Sequence, residues 1–113
     1  MNIDQIAEIA YESNRIYAGF HDTVKRKHWA ELSIEEKDNT YEAVQLILDN
    51  PDITDIQCHE HWLSMRIAEG WKYGPRDMDN KYHPCLVDFN HLTQVQRYQR
   101  TMFREVVLRN SKL

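Results

Sequence analysis

Apolar residues fall at helical spacing in four stretches of the chain. Ile3, Ile6, Ala7, Ala10 and Tyr17 share one face while Asp4, Glu8 and Glu12 take the other, which predicts a helix over 3–18 ended at Gly19. Ser33-Ile34-Glu35-Glu36 has the capping-box form, in which the serine oxygen accepts the third amide and the glutamate reaches back to the serine amide. It opens a second helix from Ile34 to about Leu48, burying Tyr41, Val44, Ile47 and Leu48 and followed by Pro51, where a missing amide does no harm. Thr54-Asp55-Ile56-Gln57 repeats the pattern for a third helix that stops before Gly70, a natural left-handed residue after a C-terminus. Thr93-Gln94-Val95-Gln96 repeats it again for a last helix reaching about Arg109.

The stretch from Gly70 to Phe89 breaks this rhythm. It holds Gly70, Gly74, Pro75 and Pro84, with aromatic alternation at Trp71 and Tyr73, and is predicted to be a loop or short β-hairpin between the last two helices. A connection of this length is uncommon inside a compact domain and often functional, and its aromatic content argues against disorder. The expected fold class is therefore mainly α: a single-domain helical bundle with a short β-hairpin or irregular segment between its last two helices. A length of 113 residues allows one globular unit, divided here into an N-terminal helical extension over 1–53 and a second part over 54–113 packed on the same core.

Charge narrows the partners. Fourteen Lys and Arg against eighteen Asp and Glu give −4, which argues against general nucleic-acid binding. From Trp62 to Pro84, however, the balance is +1, leaving −5 for the rest, so positive charge gathers around the tryptophans. No run approaches the roughly 20 apolar residues of a membrane span and no export signal opens the chain, so the expected location is cytoplasmic, without membrane insertion and with Cys58 and Cys85 as reduced thiols.

Helical spacing sets Trp62 beside Arg66, and Trp71, Tyr73, Arg76, Lys81 and His83 follow in the irregular stretch. Aromatic faces with cations nearby suit a ligand made of a base and a phosphate: the ring stacks on an indole while guanidinium groups pair with phosphate oxygens. The same tryptophans could instead fill a core, as is expected of Trp29, and Asp77 with Asp79 is the composition of a turn. Cys58-His59-Glu60-His61 and His83-Pro84-Cys85 offer zinc-type donors, but adjacent helical residues point about 100° apart and no C-x2-C pair occurs. A Cys–His nucleophile lacks an identifiable orienting group. No P-loop or dinucleotide fingerprint is present.

His59-x-x-Trp62, Gly70-Trp71-x-Tyr73-Gly74-Pro75 and Lys81-x-His83-Pro84-Cys85-Leu86-Val87, with Leu92 following, resemble the RyR domain, the repeat domain of ryanodine receptors. The likeness runs from residue 54 to about 109. Upstream, Tyr11-Glu12-x-Asn14-Arg15, Trp29 and Asn50-Pro51 resemble the extension of small stand-alone bacterial and phage members. The resemblance implies two helices flanking short strands and loops, and binding of an adenine nucleotide or nucleotide-derived signal without catalysis or cofactor. Carried over, it makes Trp62 and Trp71 base-stacking candidates, Tyr73 and His83 hydrogen-bonding or stacking candidates, and Arg66 and Lys81 phosphate partners. His59, Gly70, Gly74 and Pro84 then shape the site. Tandem repeats in the channels share their site, so a single repeat completes its pocket through a homodimer or through its own N-terminal helices. The rival reading is a protein-interaction or scaffold module using the same aromatic and arginine surface.

Overall fold

The computed structural model describes residues 1–22 and 24–112, so the last position of the 54–113 unit lies outside the described residues. Four helices carry the fold: α1 (Ile3–Gly19), α2 (Ile34–Asp49), α3 (Asp55–Ala68) and α4 (Gln94–Asn110). Each of the three sequence-predicted capping boxes forms, Ser33 with Glu36, Thr54 with Gln57 and Thr93 with Gln96, and Asn2 with Gln5 adds a fourth ahead of α1. Each pairs two amides that would otherwise lack a partner at a helix start, which is why the helix beginnings follow from local sequence. Two 3-10 turns, Trp29–Glu31 and Phe89–His91, supplement the predicted elements.

Ile6, Ala7 and Ala10 of α1, Val44 and Ile47 of α2, Val107 of α4 and Trp29 form one buried cluster. The 1–53 extension therefore shares its core with α4. Trp29 lies between Tyr11 and Tyr41, at 5.7 Å from each, and its amide donates to Glu12 at 2.7 Å. Its core role is the one expected. Arg104 and Thr101 of α4 both donate to Asp55, each at 2.6 Å, and tie the start of α3 to α4.

The 70–89 stretch differs from a hairpin. Strands β1 (Lys72–Tyr73) and β2 (Tyr82–His83) pair in parallel, Lys72 with Tyr82 and Tyr73 with His83. The chain reverses twice between them: once before Asp77, and again in a turn where Asn80 donates to both carboxylate oxygens of Asp77 and Asp77 bridges Tyr82 in antiparallel fashion. After the second reversal β2 runs in the direction of β1. Asp77 thus builds a turn.

Among the described residues, no helix is long and apolar enough to cross a membrane.

Candidate functional site

Gly70 sets where the aromatic segment leaves α3. Its φ of +91° is the left-handed conformation that ends a helix. The amide of Gly70 then donates to the Ile67 carbonyl and that of Trp71 to the Arg66 carbonyl, both at 3.0 Å, which is the two-bond Schellman closure. Trp71 is turned back along α3 toward His83, with ring centroids 6.4 Å apart, and His83 in turn meets Trp62 at 5.2 Å with the planes at 69°. One imidazole therefore stands beside both indoles. Trp62 and Trp71 are both half-buried.

His59 anchors this arrangement from behind. It is 1 % exposed and stacks on Trp62 at 5.6 Å. A carbonyl can only accept, so the 2.7 Å contact between Nε2 and the Val87 oxygen places the proton on Nε2; Nδ1 then accepts from Arg100 Nε at 3.3 Å. Burial, opposed by the bond to Val87 and helped by the Arg100 charge, holds its pKa below the ordinary value. Both nitrogens are committed, so His59 is a tie between α3, α4 and the irregular segment and has no lone pair left for a metal ion.

His83 is the electrostatic centre. Its Nδ1 accepts the Cys85 amide at 3.0 Å, so the neutral ring carries its proton on Nε2. Burial pushes its pKa down to about 3, and the charges of Arg76, Arg100, Arg26 and Arg66 act in the same sense. These four guanidinium groups come from four parts of the chain. Asp22 pairs with Arg26 through two hydrogen bonds, at 2.9 and 3.0 Å, and Glu69 pairs with Arg66 at 3.1 Å. Among the described residues, Arg76 and Arg100 have no carboxylate in an ion pair. Loss of water around Arg76, then the like charge of Arg26, hold its pKa below the ordinary arginine value. The site therefore carries uncompensated positive charge, a standing attraction for an anion.

The side of Trp62 toward the bundle borders a cleft of about 280 Å3 between α1, α2, α3 and α4. The Arg100 guanidinium carbon lies 5.7 Å over the Trp62 ring, and both residues line this cleft with Arg66. Asn14 from α1, with Asn39 and Ala43 from α2, supplies the opposite wall.

Of the six residues singled out by sequence, Trp62, Arg66, Trp71 and His83 come together. Tyr73 does not join them: it is 66 % exposed and only its backbone pairs with His83. Lys81 is held elsewhere, its Nζ donating to the Glu69 carbonyl at the end of α3 at 2.8 Å. It also holds a φ of 60°, which side-chain-bearing residues seldom adopt. Arg100, Arg26 and Asn14 belong to the site's surroundings without any local signal, being contributed from distant helices and loops. Arg76 stood in the sequence among the right neighbours, but an isolated arginine in a loop does not distinguish a site from a surface.

The fold is thus a mainly α bundle that carries an irregular aromatic segment, a group of arginines acting on His83 and an interhelical cleft. The family model described as RyR domain matches residues 52–109, just over half of the sequence, and the chain belongs to that family. Residues 1–51, including all of α1 and α2, lie outside the matched region.

Proposed function

We propose that this protein binds a nucleotide-like anion reversibly, an adenine nucleotide or nucleotide-derived signal, and performs no chemistry on it. The observation that carries this reading is the gathering of Arg26, Arg66, Arg76 and Arg100 around a neutral His83 that itself contacts two half-buried tryptophans. Phosphate oxygens supply the negative charge that Arg76 and Arg100 do not find in an ion pair among the described residues, and a flat ring supplies the stacking partner for an indole. The two unbonded thiols, Cys58 and Cys85, suit a reducing, cytoplasmic setting.

Calorimetric titration of the whole chain with ATP, ADP-ribose and a cyclic dinucleotide tests the reading. Saturable heat with at least one of them, weakening steeply with added salt, is expected; absence of heat and of any thermal shift with all three would sink it.

Contact with another protein is a second reading, favoured by one surface. Ile16 and Phe20, four residues apart at the end of α1, are 53 % and 80 % exposed, and neighbouring Tyr17 packs at 5.1 Å against the half-exposed Tyr98 of α4. A second copy of the chain is the simplest partner for this face. Light scattering with size exclusion would detect a dimer, and Phe20→Ser should return it to monomer; a monomer at all concentrations removes the homodimer.

A further inference from the structure

Two residues that line the cleft between the four helices, Asn14 and Arg66, each carry a polar atom whose bonding is incomplete. Asn14 Oδ1 and Arg66 Nε are buried without a hydrogen-bond partner, and Arg66 as a whole is only 8 % exposed. The nearest candidate acceptor for that Nε, Glu69 Oε1, lies at 3.1 Å but outside hydrogen-bonding alignment. The other contacts of Arg66, from Nη2 to Asn39 and Glu69, are both long at 3.5 Å. Leaving such groups unpaired is costly, so a molecule that completes them is favoured.

Size and charge narrow what that molecule is. A single bridging water needs about 15 Å3, far less than the 280 Å3 present. That volume sits just below the range of roughly 300–1,000 Å3 typical of sites for drug-sized ligands, so it suits one ring system and not a whole nucleotide. The Arg66 charge is already balanced by Glu69, so what its Nε lacks is an acceptor and not an anion. Asn14 Oδ1, conversely, lacks a donor. A planar heterocycle with an exocyclic amino group beside a ring nitrogen presents both, and Trp62 and Phe103 border the same space with aromatic surface.

We propose that this cleft, and not the open side of Trp71, receives the ring of the ligand, and that Asn14 and Arg66 read its hydrogen-bonding edge. The inference rests on the nucleotide reading and deepens it. Arg66 and Arg100 border the cleft and also act on His83, so a phosphate arm leaving the cleft meets the arginine cluster. Residues 1–51, outside the matched family region, then supply half of the pocket wall, and one chain completes its own ring site without a second copy.

Titration of the full chain with ATP and with purine riboside triphosphate, which lacks the amino group, tests this, using wild type, Asn14→Leu and Ala43→Leu. Wild type should prefer ATP about tenfold or more. Asn14→Leu should lose that preference, and Ala43→Leu, which fills the cleft, should weaken both ligands. Amide chemical shifts of wild type with ATP should move in α1 and α2, a readout that needs no variant to fold. Shifts confined to residues 71–83, or variants that fold and bind like wild type, would overturn the cleft assignment while leaving nucleotide binding in place. If wild type binds neither these triphosphates nor ADP-ribose nor a cyclic dinucleotide, both proposals fail together.

Discussion

The rings of His83 and Trp62 stand 5.2 Å apart at 69°, with the imidazole kept neutral by burial and by four surrounding arginines. Because its folded pKa is depressed to about 3 while the unfolded chain titrates near 6.5, the unfolded state binds more protons between those values. The His83 contribution to stability is therefore intact above about pH 6.5 and is lost as the pH falls toward 3. The limiting slope for one proton is about 1.4 kcal/mol per pH unit. Urea unfolding at pH 7 and pH 5 should show wild type losing more stability than His83→Asn, whose amide oxygen still accepts the Cys85 N–H; most carboxylates stay ionised over that range. Equal losses would mean that His83 is not the group concerned.

Arg76 sits among like charges and, among the described residues, has no ion pair to release. Arg76→Gln is expected to leave the melting temperature unchanged or slightly raised at low salt. The same change should weaken nucleotide binding about 10- to 100-fold, the usual worth of one or two hydrogen bonds to a charged group. A lower melting temperature with unaltered affinity would mark Arg76 as structural.

Gly70→Ala forces a side chain into a φ of +91°. The space is open, with nothing within 4 Å of the added carbon, so the penalty is conformational, about 1 kcal/mol. Urea denaturation measures it. A loss within experimental scatter would show that the α3 terminus relaxes without its left-handed residue.

Lys81 separates two roles cleanly. If its ammonium serves the α3 carbonyl at Glu69, Lys81→Met should lower stability modestly and leave the salt dependence of nucleotide affinity as in wild type. A reduced salt slope with full stability would restore it as a phosphate partner.

The helices were legible because their signals are local. A capping box joins residues three apart, so Ser33 with Glu36, Thr54 with Gln57 and Thr93 with Gln96 announce helix starts whatever the rest of the chain does. Gly70 announces a stop for the same reason, since left-handed geometry at one residue needs no distant partner. The aromatic pairing of Trp62, Trp71 and His83 lay within one short stretch and could be anticipated as a cluster. Lys81 and Tyr73, in that same stretch, could not be separated from it by sequence. What sets them apart is the double reversal around Asp77, which makes the strand pairing parallel, with Lys81 against the end of α3 and Tyr73 largely in solvent.

By itself, then, the sequence determined the four helices, their caps, the interruption between α3 and α4 and the kind of side chains gathered there, because each depends on neighbours within a few positions. Only the tertiary structure decided which cations face His83 and what closes the cleft. Arg100 reaches His59 from 41 positions away, and Asn14, from a helix outside the matched family region, lines the same cleft as Arg66. Such long-range placements follow from how apolar faces pack against one another, and packing acts on whole helices, so no short stretch of residues records them.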